Sequence, residues 1–271
     1  MHSERVIGII PARLRSERLP RKPLHLLAGR PLLEWVWRRV STFQIFDEVV
    51  VATDSPEIER MCVSFGARVE LTSPEHPSGT DRIAEVMERS AYHGYDLVVN
   101  VQGDEPFVTE EQVMAALSGV RGGSDIGTVA TPVRTLEELH DPSVVKVVRR
   151  EDGTALYFSR APIPHERSGD IDAEALVSER YLRHSGVYAY TRASLRKWVS
   201  LPPGELEQIE RLEQLRPLAA GMSIGVGVVA NAEHGVDTAA DAVRAEEQLR
   251  LLEPAKRDLE PAKRDLSLYV D

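Results

Sequence analysis

The chain has 271 residues, 42% of them hydrophobic and 28% charged, a balance that excludes wholesale disorder and leaves ample chain for a large core. Thirty-three Lys and Arg against 43 Asp and Glu give a net charge of −10, which disfavours general binding to nucleic acid or to an anionic membrane surface. No apolar run approaches the roughly 18–20 residues of a membrane span, the opening residues lack a secretory pattern, and a single cysteine excludes an internal disulfide or a multi-cysteine metal cage, so a cytoplasmic protein is expected.

Residues 6–10 are apolar throughout and end at Pro11, the pattern of a strand buried on both faces of a parallel sheet. Leu32, Leu33, Val36, Trp37 and Val40 then recur at helical spacing behind Pro31, whose missing N–H is harmless at a helix start. Residues 49–52 form a second predicted strand. Ile58, Met61, Cys62 and Phe65 mark the face of a second helix that Gly66 stops, and Cys62 on that face reads as core packing rather than a nucleophile. A third strand over 68–71, a helix through Ile83, Val86, Met87 and Ala91, and a fourth strand over 97–101 follow. Strands and helices alternating at these lengths imply βαβ units, hence an α/β fold with a mostly parallel sheet and helices on both faces.

The later half changes texture. Residues 126–133, 144–149, 155–160 and 185–191 read as strands with fewer helices between them, a mixed extension of the sheet. The polar stretch 165–174 is expected to be a mobile loop. Leu206, Ile209 and Leu212 predict a helix over 206–216, with Glu207, Glu210, Glu213 and Gln214 on a side that is ordinarily solvated surface. A late strand over 224–229 and a long final helix from 238 complete the pattern. The heptapeptide EPAKRDL then occurs twice over 253–266, too few copies for a solenoid. The expected organisation is one domain over 1–252 that changes character near 125, with a peripheral tail over 253–271.

Chemistry concentrates in a few stretches. Between Pro11 and Pro23 lie Arg13, Arg15, Arg18, Arg21 and Lys22, opposed only by Glu17. This loop leaves a buried strand at its carboxyl end, where α/β sheets place ligands, and its forks and point charge suit phosphate oxygens. A solvated basic loop is the plainer alternative. Asp104, after the fourth strand, and Asp237, after the late one, could supply oxygen ligands to a hard cation such as Mg²⁺ if the fold brings them to one edge. Equally, Asp104 could be a turn residue before Pro106, and Asp237 a helix cap before Thr238. His76 to Arg82 precede a helix that Ser78 or Thr80 could cap, with an N-terminus that favours an anion. Arg183, His184 and Tyr188 offer donors for an acidic sugar, or alternatively a satisfied histidine on a sheet rim.

Ile9-Ile10-Pro11-Ala12-Arg13, Ser16, Arg18-Leu19-Pro20 and Lys22-Pro23-Leu24 together resemble the N-terminal signature of 3-deoxy-manno-octulosonate (KDO) cytidylyltransferases, the CMP-KDO synthetases. The resemblance continues through Ala52-Thr53-Asp54, residues 76–82 and 99–106, Val145-Lys146-Val147-Val148, and residues 155–160, 183–190, 210–216 and 235–238. It implies a nucleotide-diphospho-sugar transferase-like fold with a nucleotide-binding half over about 1–125 and a sugar-binding and dimerisation half over about 126–252, a homodimer, and transfer of CMP from CTP to KDO with release of pyrophosphate, for bacterial lipopolysaccharide biosynthesis. Carried over by position, Arg13, Arg18 and Lys22 would hold the triphosphate, and Asp104 and Asp237 would hold Mg²⁺. Pro11, Ala12, Ser78, Gly79, Arg82 and Gln102 would contact the nucleotide. Arg160, His184, Tyr188, Glu213 and Gln214 would line the KDO pocket. Arg21 stands where the family often has a small residue, and His165 where an aromatic often follows Ile-Pro. Sialic acid or an amino variant of KDO are neighbouring substrates, and a salt-sensitive polyanion-binding module or a catalytically silent relative are the rival readings.

Overall fold

A computed structural model describes residues 4–16, 18–167, 169, 171, 176 and 180–252. The expected mobile loop at 165–174 lies partly, and the repeated heptapeptide wholly, outside the described residues. β1 (Val6–Ala12) is buried at every position, because strands pair with both its edges and helices cover both its faces. The basic loop follows and leads through a 3-10 turn (Lys22–Leu24) into a small hairpin of β2 (Leu26–Leu27) and β3 (Arg30–Pro31). α1 (Leu32–Val40) buries Leu32, Leu33, Val36 and Val40, as their spacing requires.

β4 (Glu48–Thr53), α2 (Pro56–Ser64) and β5 (Arg68–Leu71) come next, with Ser55 capping α2 by accepting the Ile58 N–H. α3 (Gly79–Glu88) is capped by Ser78 and ends before Ala91, which falls in a separate 3-10 turn (Ser90–Tyr92). β6 (Leu97–Asn100) is wholly buried, and α4 (Glu110–Arg121) opens on a Thr109–Gln112 capping box. α4 then lies so close to β7 (Ile126–Pro132) that a Cβ on Gly127 would sit 1.8 Å from the Ala116 carbonyl oxygen. The remaining described elements are α5 (Leu136–His140), β8 (Lys146–Arg149), β9 (Ala155–Ser159), β10 (Leu182–Thr191), α6 (Arg192–Ser200), α7 (Glu205–Glu210), α8 (Leu215–Ala219), β11 (Ile224–Val228) and α9 (Ala239–Leu252).

The main sheet runs β11-β7-β10-β6-β1-β4-β5, with β8 paired to β10 and β9 to β8. β6, β1, β4 and β5 are mutually parallel, as their apolar patterns predict. β10 runs antiparallel to both β6 and β7, which makes the sheet mixed and carries it through both halves of the chain. Alternation along β1 sends Ile7 and Ile9 into one core with α3 and α6, and Val6, Ile10 and Ala12 into another with α1, α2 and α4. A third, smaller cluster joins Leu19, Leu27, Leu32, Phe107 and Val236 to Ala242, Ala245 and Leu249 of α9. Among the described residues no helix is long and apolar enough to cross a membrane.

Two expectations are corrected. β10 starts at Leu182 rather than 185, because Leu182 and Arg183 pair with both β7 and β8. The helix expected over 206–216 is broken: α7 stops at Glu210, Arg211 takes φ 52, and α8 begins at Leu215. The reversal turns Leu212 and Leu215 into the core and leaves Leu206 and Ile209 exposed. Its acidic side is not idle surface either, since Glu207 pairs with Arg216 (2.6 Å), Glu210 accepts from Ser159 (2.6 Å) and Glu213 meets Ser78 (2.6 Å).

Candidate active site

β11 is parallel to β7, and both β7 and β6 are antiparallel to β10, so β11, β6 and β1 all point the same way. The basic loop after β1, the turn after β6 and the crossover after β11 therefore leave one edge of the sheet together. Direct contacts join them. The Val236 N–H donates to the Asp104 carbonyl (2.8 Å), which seats the late segment on the turn after β6. Lys22 Nζ donates to the Asp104 carboxylate and to Asp237 Oδ1 (2.9 Å), and Arg18 Nη2 lies 3.2 Å from Asp237 Oδ2. Two aspartates far apart in sequence thus share one ammonium.

Burial alone would lower the Lys22 ammonium, but Asp104 and Asp237 beside it raise it above its ordinary value, so it stays charged at neutral pH. Asp237 is not the cap of α9. The Thr238 hydroxyl accepts the Asp241 N–H (3.2 Å) and Asp241 Oδ2 takes the Thr238 N–H (2.8 Å), which leaves the Asp237 carboxylate free for the site. Beneath the charges sits the third apolar cluster, in which Leu19, Phe107 and Val236 each lie within three residues of a charged site group. The crossover itself is held by Arg183, which donates to the Ala232 carbonyl and places Nε 2.7 Å from Glu138, and by Arg134, which donates to the Ala230 carbonyl (2.5 Å).

Two cavities adjoin at this edge. The smaller, about 320 Å³, is lined by Pro11, Ala12, Arg13, Arg15 and Lys22 among others. The larger, about 660 Å³, reaches Arg183, His184, Ser185 and Gly186 on β10. Arg18, Gln102, Asp104 and Asp237 belong to both walls. Gln102 is set by β10, for its Nε2 donates to the Gly186 carbonyl (3.3 Å) and a Cβ on Gly186 would meet its Cγ at 3.0 Å. A cationic, phosphate-sized compartment therefore meets a roomier polar one across a pair of carboxylates.

Known proteins resemble this chain over most of its length. A family profile described as cytidylyltransferase matches residues 7–224. A 3-deoxy-manno-octulosonate cytidylyltransferase of Gemmatimonas aurantiaca is 50% identical over 251 residues, 92% of this chain and 96% of its own. One from Halorhodospira halophila is 46% identical over 247 residues, 89% of this chain and 96% of its own. A solved structure described as CMP:2-keto-3-deoxy-manno-octonic acid synthetase complexed with CTP superposes with a TM-score of 0.82 at 38% identity, covering 92% of this chain and all of that one. The chain belongs to the 3-deoxy-manno-octulosonate cytidylyltransferase family. A 4-diphosphocytidyl-2C-methyl-D-erythritol synthase from Anaerococcus prevotii, at 14% identity and a TM-score of 0.56, shares the fold.

For a cytidylyltransferase of this family, the structure sorts the expected residues into three groups. Arg13, Arg18, Lys22, Pro11, Ala12, Gln102, Asp104, Asp237 and His184 line one or both cavities. Ser78 and Gly79 stand just behind the smaller one: Arg13 Nη1 donates to the neighbouring Pro77 carbonyl (3.0 Å), and a Cβ on Gly79 would touch Pro11. Ser78 has one hydroxyl proton for two carboxylates, Asp81 and Glu213, each 2.6 Å away. Burial raises the Glu213 carboxyl above its ordinary range, against the lowering by the Ser78 and Thr80 hydroxyls. Tyr188 and Gln214 are buried beside this group, Tyr188 stacked on Tyr190.

Arg82 and Arg160 stand outside both cavity linings. Arg82 is wholly buried, with its guanidinium on Thr72 and 3.1 Å from Asp54, so it ties α3 to the end of β4. Arg160 donates to the backbone carbonyls of Glu210 (2.7 Å) and Pro142 (2.8 Å), stapling β9 to the break after α7. Arg21 has φ 55, the region glycine favours, and its guanidinium pairs with Glu57. Glu105 and Glu138 were not anticipated. Glu105 lines the larger cavity, its carboxyl pushed up to about 8 by burial and then by Asp104. Its place directly after Asp104 was the available signal, whereas Glu138, which also lines the larger cavity, had none in the sequence.

Proposed function

We infer that this protein transfers CMP from CTP to the anomeric hydroxyl of KDO, giving the CMP-KDO used in lipopolysaccharide assembly, and releases pyrophosphate. One observation carries the reading: Asp104 and Asp237 stand on the wall common to a cation-lined cavity and a polar, sugar-sized one. CTP entering along the basic loop would bring its α-phosphate to that wall, with KDO approaching from the larger side. Arg13 and Arg18 would offset charge on the β- and γ-phosphates as pyrophosphate leaves, and Lys22 would do so at the α-phosphate. The covalent work asked of the protein is small, and alignment of hydroxyl, phosphorus and leaving group supplies much of the rate.

Asp104 and Asp237 also fit a divalent cation. Two carboxylates near enough to share one ammonium offer hard oxygen donors on the side where triphosphate oxygens and water would complete the shell, the arrangement Mg²⁺ favours. Bound there, Mg²⁺ would supply charge neutralisation at the phosphates and polarise the phosphoryl group. The reading includes a cytoplasmic homodimer, on the family resemblance. Its test is pyrophosphate release from CTP, KDO and Mg²⁺, with sialic acid and an amino-KDO as competing acceptors and UTP and ATP as competing donors. Release that requires CTP and is fastest with KDO is expected; turnover with none of these sugars, despite CTP binding, would contradict it.

A further inference from the structure

His184 is the one member of the anticipated sugar pocket that lines the larger cavity, and its surroundings fix which way it can hydrogen-bond. The β10–β7 ladder shifts register between Ser185 and Tyr188. Within that shift the Val187 carbonyl receives the hydroxyl proton of Thr128, a wholly buried residue of β7 (2.8 Å). A threonine has one proton to give, and a carbonyl has none. The second contact of the same hydroxyl, 2.8 Å to His184 Nε2, must therefore run from imidazole to threonine. Nε2 carries a hydrogen, and Nδ1 is the nitrogen that remains. Among the described residues Nδ1 has no hydrogen-bond partner. The ring cannot swing away easily, because Phe158 meets it edge-on (5.2 Å, 80°) and Tyr188 lies 5.3 Å from it on another side.

We propose that His184 is a neutral, Nε2-protonated imidazole that accepts a hydrogen bond at Nδ1 from a hydroxyl of the sugar, with Thr128 the positioning residue that fixes this tautomer. The inference rests on KDO, or a sugar acid like it, occupying the larger cavity. It reverses the donor role that an imidazolium would play toward the sugar's carboxylate, and assigns His184 to telling hydroxylated from deoxygenated positions. Burial, which disfavours the imidazolium, acts in the same direction.

Nitrogen-15 spectra of the full-length wild-type protein at neutral pH read the tautomer directly. The expected result is a protonated Nε2 and a bare Nδ1 whose resonance moves when KDO is added. A protonated Nδ1, in either the other tautomer or the imidazolium, overturns the proposal. Thr128→Val, which keeps shape and removes the relay, is expected to raise KM for KDO about tenfold with KM for CTP unchanged, and Thr128→Ser to restore it. A series of singly deoxygenated KDO analogues should contain one that wild type turns over poorly and that loses little more in Thr128→Val. Equal losses for every analogue in both proteins would count against a hydroxyl contact, and should Thr128→Val not fold, the spectra and the analogue series on wild type still decide. Pyrophosphate release by wild type separates the two levels: release with a protonated Nδ1 overturns this proposal alone, whereas no release removes the reaction on which it rests.

Discussion

Asp104 and Asp237 each contribute one carboxylate to a single ammonium, so neither is replaceable by its neighbour. Asp104→Asn and Asp237→Asn are each expected to lower kcat by about a hundredfold or more at saturating Mg²⁺, the scale of losing one preorganised electrostatic group; steady-state kinetics measure this. His184 makes a separate prediction about stability. Burial holds its imidazole at about 3, below the ordinary 6.5. Below pH 6.5 the unfolded chain takes up a proton that the folded one refuses until about pH 3, so this contribution is present above 6.5 and is lost as the pH falls through that window. Urea titrations at pH 7 and pH 5 should show a smaller loss of stability in His184→Asn than in wild type; equal losses would contradict a buried neutral histidine.

At the scale of elements, the site depends on a small apolar cluster rather than on either main core. Leu249 of α9 belongs to the same buried cluster as Leu19, Phe107 and Val236, residues that sit in the segments carrying Arg18, Asp104 and Asp237. Leu249→Ala removes a nearly fully buried side chain, and a loss of about 2–5 kcal/mol in urea-derived stability is expected. Elements were legible where burial imposes a simple period, as in β1, α1 and β4. The break between α7 and α8 was not, because Arg211 takes a left-handed turn with no glycine to announce it. Nor could the sequence choose between Asp237 and Thr238 as the α9 cap, since both are good caps and only their coordinates differ.

Across the whole molecule, the decisive feature is strand direction. Along the path from β11 to β5, β10 runs against its neighbours β6 and β7, and this turns β11 parallel to β1 and brings the crossover bearing Asp237 to the edge that bears Lys22 and Asp104. Motif residues therefore announced the site, but its convergence depends on a sheet order that no local pattern encodes. The same topology explains how a protein of net charge −10 keeps a cationic cavity: five of its 33 Lys and Arg are gathered in the one loop between Pro11 and Pro23, facing two acids. On the proposed function, phosphoryl transfer occurs at the wall common to both cavities. Following label from CTP carrying ³²P in its α-phosphate, with KDO and Mg²⁺ present, tests this most directly. Label is predicted to pass into CMP-KDO with wild type, leaving pyrophosphate unlabelled, and to pass at least about a hundredfold more slowly with Asp237→Asn; wild-type transfer rates in Asp237→Asn, or label appearing in pyrophosphate, would contradict it.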